Sequence, residues 1–318
     1  MSADAEIDGL YGPRSEAWRL NREAFILLAA GPRALLLQIA HPLVADGVDQ
    51  HSAFREDPWR RLEGTLRSYL RIVYAGATDA RDEIRRLERL HRSVRGPVRD
   101  PIARDASGAV RYRARDPELS LWVHATLVDS TIVAADAWLE PLPGARRAAF
   151  YTETRPIGRA LGIPERLLPA DYGAFRDYLD AMLRPGGPVR VTPTARELSW
   201  TILHPSLGPL AGDPRLAGGR LGGLAPLLDA VPRASYDWLL WPAVGLLPAR
   251  IREEYGIPWT PFRRAVSRYE VAGLRAWRPL FPPALRWMPQ ALAADRRVLG
   301  GPRERRRSNG GAARRGGE

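Results

Sequence analysis

The chain has 318 residues, 45% of them hydrophobic and 26% charged, with a net charge of +12, a globular balance that excludes a fibre or an unstructured chain. Cys is absent, which excludes disulfides, a CxxC redox pair, thiolate zinc sites and thiolate haem ligation. All 48 basic residues are Arg, so Schiff-base chemistry, a P-loop lysine and a lysine general base are excluded too.

Residues 1–14 read as an arm whose opening, Met1 to Gly12, is acidic and has no apolar run, unlike a secretory signal. Residues 15–300 read as one all-α helical domain, because helix signals dominate and strand alternation is nearly absent. The pattern predicts helices near 15–30, 32–46, 58–74, 79–95, 117–140, 143–161, 171–183, 193–204, 234–247, 261–278 and 283–298. Asp57-Pro58, Asp116-Pro117, Thr192-Pro193 and Thr260-Pro261 place a capping side chain just before a proline at the first helical position. Gly31, Gly96 and Gly162 sit where C-terminal caps belong. A short hairpin is expected around Val110 to Ala114, and Pro205 to Pro232 reads as a long loop or lid. The most apolar stretch, Ala24 to Val44, is interrupted at Gly31-Pro32-Arg33 and at His41-Pro42, so no transmembrane segment is expected and a cytoplasmic protein is. Residues 301–318 hold six Arg and two Glu among glycines, a basic tail expected to be disordered. Elsewhere acids are interspersed with the arginines and no nucleic-acid-binding motif accompanies them, so no specific nucleic-acid partner is expected.

With neither Cys nor Lys, the five histidines are the natural ligands and bases. His91 lies on one arc of about 80° with Ile84, Leu87 and Val94, while Arg85, Arg86, Arg89 and Arg92 occupy the other side. A histidine in such a stripe is expected to be buried, either as a core residue bonded to a carbonyl or as a neutral ligand of a metal or haem iron. Glu88-x-x-His91 also matches half of a di-iron carboxylate pattern, but His41, His51, His124 and His204 all lack the matching acid. In the 58–74 helix, Arg61 and Thr65 flank the stripe of Trp59, Leu62, Leu66, Tyr69, Leu70 and Val73. They suit a propionate, an oxyanion or dioxygen, or form a helix-edge pair. The 117–140 helix is apolar nearly all round and therefore central; His124 and Thr131 share one of its faces, Thr126 and Asp129 another. His124 there is a satisfied core residue or a cavity group. His41 precedes Pro42, where the chain should kink.

Five segments in order carry a resemblance: Leu36-Leu37-Gln38-Ile39-Ala40-His41-Pro42, His51-Ser52-x-Phe54, Asp57-Pro58-Trp59-x-Arg61-Leu62-x-x-Thr65, Leu90-His91-x-x-Val94-Arg95-Gly96 and Leu121-Trp122-Val123-His124-Ala125-Thr126-Leu127. Together they are similar to the MpaB-type oxygenase family, formerly a domain of unknown function, whose relatives include the latex-clearing rubber oxygenases. The resemblance spans roughly residues 15 to 295. It implies an all-helical fold around haem b, with His91 as the proximal iron ligand, Arg61 and Thr65 approaching from the opposite helix, and His124 and His41 near the pocket. Rubber oxygenases carry a lysine immediately before the motif threonine; here that position is Gly64. The nearest counterpart of their acidic base is Asp46, and rubber cleavage is not expected. The function expected on this basis is oxygenation, with dioxygen, of an apolar, unsaturated small molecule. The alternatives are a haem-binding sensor or carrier without turnover and a cofactor-free helical scaffold.

Overall fold

Two long apolar helices, each too hydrophobic to face water, form the centre of the fold. In the computed structural model, which describes residues 9–51, 58–101, 104, 108, 110–203 and 240–299, they are α2 (Ala24–Ile39) and α6 (Pro117–Trp138). They run antiparallel: Trp122 Nε1 donates to the Leu37 carbonyl at 3.2 Å, Gln38 Nε2 to Thr126 Oγ1 at 3.1 Å, and Arg33 pairs with Asp129 at 2.8 Å. Burial of the stripe Ile26, Leu36, Leu37, Trp122, Val128 and Ile132 supplies the main driving force, about 1.5–3 kcal/mol for each large side chain.

The other elements wrap this pair. They are α1 (Glu16–Asn21), α3 (Pro42–His51), α4 (Pro58–Tyr74, side chains described from Gly64 on) and α5 (Ala77–Arg92). After the strands β1 (Arg95–Pro97) and β2 (Arg111–Arg113) come α7 (Gly144–Ala160), α8 (Tyr172–Leu183) and α9 (Pro193–Leu203). The C-terminal part holds α10 (Trp241–Gly245), α11 (Ala249–Glu254), α12 (Pro261–Trp277), a 3-10 turn at Arg278–Leu280, α13 (Pro283–Arg286) and α14 (Pro289–Leu299). The fold is all-α with a single two-stranded antiparallel sheet, Gly96 facing Tyr112, among the described residues.

The expected caps at Asp116, Thr192 and Thr260 form, each side-chain oxygen accepting from a first-turn amide. Gly162 has the positive φ of 84° that a helix terminator needs, and Val110–Ala114 does contain a strand. Several boundaries differ from the expected ones. Gly31 ends nothing: α2 continues through Pro32, and the break falls instead at Arg22-Glu23. There Glu23 bridges to Trp287, and the Met288 amide donates to the Arg22 carbonyl at 2.8 Å. At His41-Pro42 the chain does kink, α2 and α3 meeting at 102°. Gly96 lies in β1 rather than in a cap, because α5 ends at Arg92. Met288-Pro289 divides the last expected helix into α13 and α14, and α11 was not expected. The cap at Asp57, the whole 205–232 segment and the tail lie outside the described residues. No single described helix is long and apolar enough to cross a membrane.

Candidate active site

α5 carries His91 at its last turn. Its stripe enters the core at Ala80 and Ile84, and then opens: Leu87, His91 and Val94 are half-buried rather than fully buried as expected. The reason lies beyond the helix. Leu87 packs on the main core, whereas Val94 packs with Leu43 on a separate small cluster of Val98 and Tyr112, leaving His91 between the two. Its Nδ1–H donates to the Leu87 carbonyl at 2.8 Å. That bond fixes the tautomer and turns the lone pair of Nε2 outward, where no described residue takes it. The Arg face is exposed as expected, with Arg85 paired to Asp82 and Arg86 bonded to Glu83 and to Ser68 of α4.

His124 lies on α6, 3% exposed, and its Nε2 has no hydrogen-bond partner. Burial lowers its pKa to about 4, so the ring is neutral. It lies close against α7 at Gly158: a Cβ there would stand a tight 3.3 Å from the His124 ring and 3.0 Å from Leu168. Thr131, on the same face of α6, meets the Tyr69 hydroxyl of α4, which also donates to Asn21 Oδ1 at 3.0 Å. This face therefore receives both α4 and α7. His41, at the bend, is also buried, with Nδ1 unpartnered and a pKa lowered to about 4 by burial, which the charge of Asp116 only partly offsets.

No hydrogen bond joins the three histidines to one another among the described residues. Thr65 is exposed on α4, as is Gly64, where a Cβ would meet nothing within 4 Å. The Arg61 side chain and His204 lie outside what is described. His51 is structural, its Nε2–H donating to the Arg95 carbonyl at 3.1 Å. Asp46 is buried, and its carboxylate accepts from the amides of Arg99 at 2.9 Å and Asp100 at 3.3 Å, so it holds the chain after β1; burial raises its pKa. Among the described residues no group of three or more His, Asp and Glu side chains gathers to hold a metal ion. A porphyrin anchor needs only one imidazole and an apolar wall. His91 fits that description: an oriented ring, an available Nε2, Leu87 and Val94 beside it, and enough exposure for a planar ligand to approach.

Sequence reasoning missed two parts of this region. Gly158 shapes the space behind His124, with no motif to signal it. The Arg33–Asp129 pair is also new, although a charged residue on each of two apolar helices was a visible hint. Arg33 is 3% exposed and donates to Ser130 Oγ at 2.8 Å and to the Leu246 carbonyl at 2.9 Å besides pairing with Asp129.

The family model described as "ER-bound oxygenase mpaB/B'/Rubber oxygenase, catalytic domain" matches residues 18–281, most of the chain. The chain belongs to this family. The match takes in α1 through the 3-10 turn, and so contains His41, Arg61, Thr65, His91 and His124. Among curated proteins, the chain is 30% identical over 150 residues to an uncharacterized protein of Mycobacterium tuberculosis, and equally to one of Mycobacterium bovis. Each alignment covers 45% of this chain and 55% of the relative, so the chain spans about half the length of the curated relatives it matches. No solved structure matches.

Proposed function

We propose that this member of the mpaB/rubber oxygenase family is a haem-b-dependent oxygenase acting with dioxygen on an apolar, unsaturated small molecule. The observation that carries the reading is the His91 ring, held by the Leu87 carbonyl at 2.8 Å with its Nε2 lone pair available beside an apolar wall. His124 and His41 are poorer anchors. They are 3% and 9% exposed, so neither ring presents an edge to an approaching planar macrocycle as His91 does.

His91 would hold the iron through Nε2, and the Leu87 carbonyl keeps that ring in place and raises its basicity. When bound, haem b supplies the activation of dioxygen, chemistry that no side chain of this chain can perform. Leu87 and Val94 exclude water from the His91 side. Arg61 and Thr65, at the family's motif positions, offer a guanidinium and a hydroxyl to a propionate or a developing oxyanion. Gly64 carries no side chain, so haem held by His91 would meet no competing amine from this position. His124 and His41, both neutral near pH 7, back the pocket as apolar-compatible rings rather than as acids.

The test is the absorption spectrum of the purified full chain, followed by oxygen uptake with terpenes, unsaturated fatty acids and aldehydes. A Soret band and uptake with at least one of these are expected. A Soret band without uptake moves the protein to the sensor or carrier reading. No band, even with added hemin, defeats the haem reading altogether.

A further inference from the structure

Helix α12 is apolar on two sides: Val271 and Leu274 pack on the main core, and a second apolar face lies away from them. At about 100° per residue, Phe262, Ala265, Val266, Tyr269, Ala272, Gly273, Ala276 and Trp277 fill one arc of about 140° that contains no charged residue. Most of that arc is exposed; Val266 and Gly273 are half-buried, and the Phe262 ring meets Trp241 edge-on at 6.3 Å. Phe262 is 69% exposed, Tyr269 79% and Trp277 63%, and the three alanines are exposed as well. The opposite side holds Ser267, the one buried residue of the helix, whose hydroxyl donates to the Trp241 carbonyl at 3.3 Å. Apolar exposure continues past the helix end at Leu280, 71% exposed, and Leu285, 66%.

One edge of this arc is lined by positive charge. Arg264, Arg268 and Arg275 fall within about 40° of one another along one edge; all three are exposed, and among the described residues none is ion-paired. The only acid of the helix, Glu270, is half-buried at the opposite edge of the arc, about 120° or more around the helix from these arginines, so it does not neutralise the row. A two-fold pairing of this face with a second copy would bring two such rows together, like charge on like. An anionic surface is the complementary partner. Tyr269 and Trp277 are the ring types that settle at a lipid–water boundary, and a 17-residue helix gives a footprint about 26 Å long.

We propose that the outward face of α12 docks the protein on a membrane carrying anionic lipid, with the aromatic arc in the headgroup layer and the Arg row on the phosphates. The proposal does not depend on the haem reading, since it uses no residue of the candidate active site.

The experiment is co-sedimentation of the full chain with phosphatidylcholine vesicles, with and without phosphatidylglycerol. The wild type should sediment with the anionic vesicles and be released by salt. Phe262→Ser/Tyr269→Ser/Trp277→Ser should weaken that partitioning about tenfold or more with unchanged helix content. Arg264→Gln/Arg268→Gln/Arg275→Gln should weaken it on the order of a hundredfold. Three results would overturn the proposal. The wild type could stay in the supernatant with both vesicle types. The aromatic variant could bind as well as wild type, which would assign binding to the arginine-rich C-terminal segment. Light scattering could find a dimer that the aromatic variant converts to monomer, which would assign the face to a second copy.

Discussion

His41 and His124 are uncharged because burial denies their rings the water that a cation needs; Asp116 offsets this only in part at His41, and at His124 burial acts alone. Their folded pKa values near 4 lie below the ordinary 6.5, so as pH falls the unfolded chain takes up these protons first. Their contribution to stability is complete above about pH 6.5 and is lost toward pH 4, at about 1.4 kcal/mol per pH unit for each ring. Chemical denaturation between pH 7 and pH 4 should show this slope, and His41→Gln/His124→Gln should flatten it; an unchanged slope would mean that other groups carry the acid sensitivity. At this scale the sequence was informative about identity and weaker about setting. The apolar stripe around His91 was readable from the helical period, but its half-burial was not, because it depends on Leu43 and Tyr112 arriving from other elements. His124 was visible as a polar residue on a central helix. The reason it packs without a partner is Gly158, 34 residues away on α7, and nothing local announces that contact.

Helix α2 meets α6 through an apolar seam that contains one deeply buried ion pair. The Arg33 and Asp129 side chains are 4% and 5% exposed, and Asp129 is also reached by Arg176 of α8 at 3.0 Å. Arg176 is 43% exposed and adds little. Asp129→Ala would leave a buried guanidinium without its anion and should cost about 3–5 kcal/mol in urea unfolding. Arg33→Met/Asp129→Leu should recover most of that loss, since a packed apolar pair needs no desolvation of charge. If the double variant is as unstable as the single, the pair is doing more than neutralising itself. Elements with strong local signals were legible here: the proline-capped starts of α6, α9 and α12, and the bend before Pro42. The break at Arg22-Glu23 was not, because it is imposed by a strand-like contact with Trp287, 264 residues further along the chain. Pro32 misled in the other direction, since α2 is held by its seam with α6 strongly enough to absorb one missing amide donor.

The two ends of the described chain close on each other, so the fold is finished only when its C-terminal helices arrive. Trp18, 1% exposed, donates its indole N–H to Asp295 at 2.9 Å and stacks edge-on against Tyr74, while Arg297 donates to the Tyr74 carbonyl at 2.7 Å. Glu23, 2% exposed, accepts from Arg278 at 2.7 Å and from the Trp287 indole at 3.2 Å. Glu23→Ala should cost about 1–3 kcal/mol by stranding those donors, and Glu23→Gln, which keeps an acceptor, should cost less. Equal losses would show that the carboxylate charge, not the acceptor, matters. None of these long-range pairs could be read from local pattern, although the all-α class could. His91 is the proposed haem anchor, and one titration addresses that role directly. Hemin added to wild type should give a saturable Soret band, and His91→Ala should lose it while keeping wild-type helix content by circular dichroism. An undiminished band in His91→Ala, with loss in His124→Ala instead, would contradict the assignment.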